Sequence, residues 1–147
     1  MFWKRAADRI AAKESHYSMA HQVPEGYFFT EKHEWAREVD GLLWIGISEY
    51  AQDSLGDIVY LDVPGAGTSL TAGDSFGNIE SVKAVEDLYA PVSGTVTESN
   101  DSVKSSPEQI NKDAYGSWLI KLKDYNAGDL SKLMNAAAYS DFLKSLE

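Results

Sequence analysis

Residues 77–94 decide the fold, and they read Gly-Asn-Ile-Glu-Ser-Val-Lys-Ala-Val-Glu-Asp-Leu-Tyr-Ala-Pro-Val-Ser-Gly. The segments 75–82 and 88–90 are predicted to be extended chain, and they flank residues 83–87 on both sides. A proline and a glycine then interrupt the second segment. A tight turn between two strands holds the backbone and directs one long side chain into solvent. We therefore predict a β-hairpin that exposes Lys83.

Further strands are predicted along the chain by short apolar and aromatic runs between turn residues. They cover residues 27–30, 35–39, 42–47, 58–63, 95–98 and 118–123. Asp40-Gly41 predicts a hairpin turn between the second and the third of them. Ser48 is a candidate N-cap for a helix over residues 49–55, and Gly56 is expected to end this helix in the left-handed conformation.

The C-terminus changes its hydrophobic period. Apolar residues at i, i+3, i+4 and i+7 predict one stripe on a helix, namely Tyr139, Phe142, Leu143 and Leu146. Short strands with frequent Gly and Pro turns predict an all-β (β-rich) fold with small helices at its periphery and this helix at its end. No linker divides residues 23–147, so we predict a single domain there.

The first 22 residues differ from the rest in charge. Four basic residues face two acidic ones there, which gives +2 against −10 for the whole chain of 147 residues. Transit peptides are poor in acidic residues, so a targeting segment fits this composition less well than an added extension or tag. We therefore predict a leader or disordered extension over residues 1–22, with Met19 as a candidate native start.

Composition excludes several classes of function. The chain has no cysteine, which rules out disulfides, thiolate metal sites and a cysteine nucleophile. Thirteen basic residues against 23 acidic ones disfavour a nucleic-acid partner, which requires phosphate neutralisation, and favour docking on basic protein surfaces. No apolar run approaches the length of a membrane span. We therefore predict neither nucleic-acid binding nor a membrane association.

Catalytic motifs fail when their spacing is checked. His33-Glu34 lacks the second histidine of a zinc protease, because Arg37 stands four residues after the first. Gly65-Ala66-Gly67 follows a strand but opens no helix, so it predicts a turn and not a dinucleotide loop. We predict no metal site, no catalytic residues and no enzyme activity of the chain alone.

The hairpin sequence resembles the H protein of the glycine cleavage system. Glu80, Ser81, Val82, Lys83 and Ala84 match the Glu-Ser-Val-Lys-Ala motif of that family, and residues 90–94 match its Ala-Pro-x-Ser-Gly turn. His33-Glu34-Trp35 and residues 55–59 match further elements, so that the resemblance covers about residues 23–147. This sequence departs from the family pattern at two positions. Ala114 stands where the family usually has proline, and Ser54 stands where some members have histidine.

The resemblance implies a fold, a cofactor and a set of site residues. The fold would be a barrel-sandwich of short antiparallel strands, as in lipoyl and biotinyl carriers. Lipoate would be bound covalently to Lys83 as lipoyl-lysine, with Glu80, Ser81, Val82 and Ala84 recognised during attachment. Glu34 and Asp87 match acidic positions that line the site of the loaded arm.

The resemblance also implies partners and a place of action. A lipoate ligase or a lipoyl/octanoyl transferase would attach the arm. The carrier, expected to be a monomer, would then shuttle an aminomethyl group from glycine between a pyridoxal-phosphate glycine decarboxylase, a folate-dependent aminomethyltransferase and lipoamide dehydrogenase. The compartment would be the cytoplasm in a bacterium and the mitochondrial matrix in a eukaryote.

Two other functions stay open at this point. The carrier could donate its lipoyl group to other enzymes, because such a relay would use the same lysine. The fold could also serve as an interaction module without an arm.

A lipoyl domain of a 2-oxoacid dehydrogenase fits less well, since it has Asp-Lys-Ala at its turn and no C-terminal helix. A biotin carrier would have methionine on both sides of the lysine, where Val82 and Ala84 stand.

Overall fold

A computed structural model describes residues 17–18 and 21–146, with eleven strands and five helices among them. The strands are β1 (Tyr17–Ser18), β2 (His21–Gln22), β3 (Phe28–Phe29), β4 (Glu34–Val39), β5 (Leu42–Ile47), β6 (Ile58–Asp62), β7 (Ser69–Leu70), β8 (Ser75–Ser81), β9 (Val85–Tyr89), β10 (Gly94–Ser99) and β11 (Ile120–Lys123). The helices are α1 (Glu49–Leu55), α2 (Asp101–Ser105), α3 (Gln109–Lys112), α4 (Ala127–Leu130) and α5 (Ala136–Ser145). None of the helices between residues 21 and 146 is long and apolar enough to cross a membrane.

Two antiparallel sheets enclose the core. The large sheet has the order β3-β4-β5-β11-β10-β7, and the small sheet has the order β6-β8-β9. Side chains alternate between the two faces of a strand, so each sheet turns one set of apolar residues inward. Leu43 and Leu122 of the large sheet and Leu61, Ile79 and Leu88 of the small sheet belong to one buried cluster. The predicted sandwich of short antiparallel strands with peripheral helices is confirmed.

Local signals set the turns around α1 and between β4 and β5. Asp40 and Gly41 both have positive φ, 51° and 81°, which is the requirement of a two-residue type I′ hairpin. The side chain of Ser48 accepts a hydrogen bond from the backbone N–H of Ala51 and caps α1 as predicted. Gly56 ends this helix with φ 79° and ψ −158°, which is an extended conformation that favours glycine, and not the left-handed helical one expected.

The structure differs from the predicted elements at several places. Strand β9 already begins at Val85, so the turn after β8 is shorter than the predicted 83–87. The short helices α2, α3 and α4 were not predicted, because they are too short to show a hydrophobic period. Of the predicted stripe, Tyr139 and Leu143 are buried in α5, whereas Leu146 follows the end of the helix and is 47% exposed.

The packed chain begins before Val23, the residue at which the folded domain was expected to start. The His21 side chain is 3% exposed and its Nε2 lies 3.0 Å from Oδ2 of Asp53 in α1. Glu49 accepts a hydrogen bond from the backbone N–H of Gln22 at 2.7 Å. Residues 21 and 22 are therefore part of the fold, whereas the candidate start Met19 lies outside the described residues.

Candidate functional site

The β8–β9 hairpin is closed by Ser81. The backbone N–H of Ser81 donates to the carbonyl of Ala84 at 2.8 Å. The Ser81 hydroxyl accepts hydrogen bonds from the N–H groups of Lys83 at 3.2 Å and Ala84 at 3.1 Å. The N–H of Val82 is bound by the carbonyl of Asp57, just before β6. The turn backbone is therefore held from inside by a buried hydroxyl and from outside by the neighbouring strand.

Lys83 projects from this fixed turn into solvent. Its side chain is exposed, and among the described residues it has no carboxylate within the 4.0 Å of an ion pair. Its stem runs past the end of α1, where a Cβ built on Gly56 would lie 3.5 Å from Cε of Lys83. The amine is thus free to react, while its backbone is rigidly placed.

A cleft of about 420 Å³ lies beside the hairpin, between β9, α1 and the start of β4. Its buried lining residues are apolar except for Glu34, and most of its exposed lining residues are charged. The residues that line it are Glu31, Lys32, His33, Glu34, Ile47, Tyr50, Ala51, Ser54, Leu55, Ile79, Ala84, Glu86, Asp87, Leu88 and Tyr89. Because Ala84 follows Lys83 directly, a group attached to the lysine has this cleft next to it.

Glu34 is the buried acid of the cleft. Its side chain is 2% exposed, accepts the Thr30 hydroxyl at 2.6 Å and accepts the N–H of Tyr89 at 3.2 Å. Burial raises the pKa of Glu34 above the ordinary carboxyl value, and these two hydrogen bonds act against the rise. A fixed cationic group in the cleft would find a carboxylate already oriented for it.

His33 is a half-buried polar residue of the cleft, and its backbone has φ 74°, which is uncommon for a non-glycine residue. Its Nδ1 lies 2.7 Å from the Tyr139 hydroxyl, which in turn lies 2.8 Å from Oγ of Ser48. Burial and the nearby His21 lower the pKa of His33 to about 4, so its ring is neutral at pH 7. Helix α5 thereby helps to hold the cleft wall.

The structure brings some of the predicted site residues together and separates others. Glu34, Asp87 and Ala84 line the one cleft, and Ser81 forms the turn below it. Glu80 instead lies in a cross-strand row with Tyr60 and Val85, on the opposite face of the small sheet. Val82 is 70% exposed beside Lys83. Within residues 17–18 and 21–146, no three His, Asp or Glu side chains cluster as metal ligands would.

The supporting residues of the cleft were not predicted from the sequence. Tyr139 was predicted only as part of a packing stripe, although its hydroxyl joins His33 to Ser48. Lys32 was not considered, and its Nζ lies 5.4 Å from the ring centroid of Tyr89 at the cleft edge. No spacing rule connects these residues, because residue 139 is far from residues 33 and 48 in sequence and only the fold unites them.

The fold and the site together define a class of protein. A small antiparallel barrel-sandwich that displays one lysine at a hairpin turn is a domain of the lipoyl-carrier type. The comparisons with known proteins make this specific: the sequence profile described as "Glycine cleavage H-protein" matches residues 27–146. The chain therefore belongs to the glycine cleavage H-protein family, the lipoyl carriers of the glycine cleavage system.

Three named relatives match this chain over nearly their own full length. A glycine cleavage system H protein from Leptospira biflexa is 44% identical over 86% of this chain and 97% of its own. One from Azoarcus sp. (strain BH72) is 50% identical over 80% of this chain and 94% of its own. A probable one from Pyrococcus abyssi is 47% identical over 86% and 96%. The crystal structure of a glycine cleavage system H protein from Mycobacterium marinum has a TM-score of 0.74 at 33% identity and covers 81% of this chain and 97% of that one.

Proposed function

We propose that Lys83 carries a lipoyl group and that this chain is the aminomethyl carrier of a glycine cleavage system. The observation that carries the proposal is the state of the Lys83 amine. It stands on a turn held by Ser81, is exposed, and has no ion-pair partner among the described residues. A carrier lysine has to be reachable by the attaching enzyme and must not be held by a carboxylate.

The residues around Lys83 suit an amide-linked, largely apolar arm. Amide formation removes the charge of the lysine, and the stem then continues along Gly56 and the apolar lining formed by Leu55, Ile79 and Leu88. When bound, the lipoyl group supplies the redox-active disulfide that this cysteine-free chain lacks. A cleft of about 420 Å³ is large enough to receive a small organic group.

The acids of the cleft would hold the cargo. The cationic amine of an aminomethyl group can pair with Glu34, whose carboxylate is oriented by Thr30 and by the Tyr89 N–H. Asp87 lines the same cleft from β9. Because Glu34 is buried, the pair would form where water is partly excluded, which protects the cargo from hydrolysis.

We also propose the partners that such a cargo needs. They are a pyridoxal-phosphate glycine decarboxylase, a folate-dependent aminomethyltransferase, lipoamide dehydrogenase, and a lipoate ligase or lipoyl/octanoyl transferase. The chain supplies no chemistry of its own in this scheme and raises the effective concentration of the cargo at each partner. The relatives named above are bacterial and archaeal, which supports the cytoplasm as the place of action.

The test is an exchange reaction with the partner decarboxylase. Lipoylated protein, glycine and labelled bicarbonate are incubated with glycine decarboxylase, and label in glycine is measured. We expect exchange with the lipoylated wild type and only the background of unlipoylated protein with Lys83→Arg. Efficient donation of lipoate to other enzymes without any exchange would assign the chain to lipoyl relay and contradict the proposal.

A variant of the buried acid tests the cleft. For Glu34→Gln we expect the loaded carrier to lose its aminomethyl group about tenfold faster, which corresponds to about 1.4 kcal/mol. Asp62→Asn, on the small sheet outside the cleft lining, is the matched control and should leave this rate unchanged. Equal rates for Glu34→Gln and wild type would exclude Glu34 from holding the cargo.

A further inference from the structure

The outer face of the small sheet carries an unusual concentration of exposed apolar side chains. Among the described residues, the large hydrophobic residues that are exposed are Val59 at 52%, Tyr60 at 53%, Val82 at 70%, Val85 at 62% and Leu146 at 47%. All but Leu146 belong to β6, to the turn after β8, or to β9. We call Val59, Tyr60, Val82 and Val85 the hairpin patch. Exposed apolar clusters of this kind mark interaction sites.

Strand register joins these side chains into one surface around Lys83. Tyr60 pairs with Glu80 and Glu80 with Val85, so that these three side chains form one row across the sheet. Val82 precedes Lys83 directly, and its N–H donates to the carbonyl of Asp57, just before β6. The patch therefore borders the lysine on the side opposite the cleft.

The charge around the patch is almost entirely negative. Residues 57–62 and 74–89 contain six acidic residues and one basic residue, which is Lys83 itself. Asp57, Asp62 and Glu80 are exposed at or beside the patch. A partner that covers this face must therefore have an apolar centre and a basic rim.

We infer that the hairpin patch is the docking surface of the enzyme that attaches lipoate to Lys83, and this inference rests on the proposed function. An attaching enzyme has to bring the ε-amine itself into its active site, so it must touch the turn and the strands next to it. Enzymes that act on the finished arm would instead react with its dithiolane end, beyond the lysine side chain. The patch has only four apolar side chains, which suits a transient enzyme contact and is too little for a stable interface with a second copy.

The tyrosine is the expected anchor of the contact. Tyrosine is enriched at the energetic centres of interfaces, because its ring buries a large area at a small entropic cost. Tyr60 and Val59 make no side-chain hydrogen bond or ion pair within the described structure and are half exposed. Threonine keeps the β-branched character that strands favour, so Val59→Thr combined with Tyr60→Thr should remove the apolar surface without loss of the fold.

The experiment measures attachment and a downstream reaction on the same variants. Unlipoylated full-length protein is acylated by a purified lipoate–protein ligase with ATP and lipoate, and kcat/KM is determined for wild type, the Val59→Thr/Tyr60→Thr double variant and Leu146→Thr. Samples driven to complete lipoylation with excess ligase are then reduced by lipoamide dehydrogenase. Leu146→Thr is the matched control, because it removes exposed apolar surface just after α5, outside the hairpin patch.

We expect kcat/KM of attachment to fall about tenfold or more in the double variant and to stay within about twofold in the control. The dehydrogenase rate should stay within about twofold in both. For wild type, kcat/KM of attachment should decrease as the ionic strength rises, because salt screens the attraction between the acidic residues around the patch and a basic partner. Unchanged attachment, or an equal loss in both reactions, would overturn the inference.

Two outcomes separate this inference from the proposed function. If wild-type Lys83 is never acylated, the proposed function itself fails. If Lys83 is acylated equally well in the double variant, only the docking surface fails. A change from dimer to monomer in sedimentation velocity on introducing the double substitution would assign the patch to a second copy of the chain and overturn the docking proposal.

Discussion

Ser81 shows how one residue can order the turn that carries Lys83. Its buried hydroxyl accepts two N–H groups of the turn, those of Lys83 and Ala84. These donors would otherwise be left to solvent or remain unpaired, and the turn would sample several conformations. The order of the Lys83 backbone thus depends on a residue two positions earlier.

Ser81→Ala is expected to lower the free energy of unfolding by about 1 kcal/mol, because the two N–H groups lose a buried acceptor. Ser75→Ala is the matched control on the same strand, since the Ser75 hydroxyl is exposed and donates only to the Gly77 carbonyl. The control should change the stability by less than about 0.5 kcal/mol. Urea unfolding measures both, and an equal effect of the two variants would contradict this role of Ser81.

Glu34 gives the fold a characteristic dependence on pH. Folding raises the pKa of this carboxyl above its ordinary value of 4.5, so the native state binds the proton more tightly than the unfolded chain does. The stability that this proton contributes is complete below the ordinary carboxyl pKa. It is lost as the pH rises through the raised pKa of the folded state.

Replacement of Glu34 by glutamine should remove this dependence. A glutamine can accept the Tyr89 N–H but loses the hydrogen bond from the Thr30 hydroxyl, whose oxygen already accepts the N–H groups of Lys32 and residue 34. This cost does not depend on pH. We expect the stability of Glu34→Gln relative to wild type to increase as the pH rises from the ordinary carboxyl pKa through the raised pKa of the folded state. Urea unfolding at a series of pH values measures this difference. A constant difference over that range would show that burial does not shift the Glu34 pKa.

At the scale of elements, the pairing of β6 with β8 depends on a glycine. A Cβ on Gly77 would lie 2.1 Å from the backbone carbonyl oxygen of Asp62, a distance that no side chain tolerates. Gly77→Ala should therefore lower the free energy of unfolding by about 2 kcal/mol or more. At Gly65 a Cβ meets nothing within 4 Å, so Gly65→Ala is the control and should be nearly neutral. Similar melting temperatures for the two variants would contradict this close approach.

Helix α5 is anchored on one side only. Leu143 is 2% exposed and packs in the cluster that contains Phe29, Trp35 and Tyr139, whereas Leu146 is 47% exposed. Leu143→Ala should cost about 2–5 kcal/mol, and Leu146→Ala should cost less than about 0.5 kcal/mol. Chemical denaturation distinguishes these values. A comparable loss at Leu146 would mean that the helix packs with a different face.

Elements with a local chemical signal could be predicted from the sequence. Asp40-Gly41 specifies its own turn, and Ser48 caps a helix whose length follows from Gly56. The turn at Lys83 was placed correctly, but its length was not, because Val85 pairs with Glu80 and only the sheet register determines that. The cleft is lined by side chains of β4, β5, α1, β8 and β9, and Tyr139 of α5 supports it through His33. Such long-range contacts leave no periodic pattern in the sequence.

At the scale of the whole molecule, the hairpin that carries Lys83 has two different surfaces. The cleft lies on one side of the hairpin and is lined by Glu34 of β4 and Asp87 of β9. The outer side of the small sheet carries the hairpin patch within an acidic surrounding. Lys83 lies at the tip between them. Under the two proposals above, the lysine would meet its attaching enzyme on one side and its arm would rest on the other.

The most direct test of the account is the chemical state of the Lys83 amine in protein from a host that lipoylates proteins. Intact mass and peptide mapping should find one lipoyl group, located on the peptide that contains Lys83, and none in the Lys83→Arg variant made in the same way. Finding Lys83 unmodified in the wild type, or the same added mass in the Lys83→Arg variant, would contradict the assignment of this residue as the point of attachment.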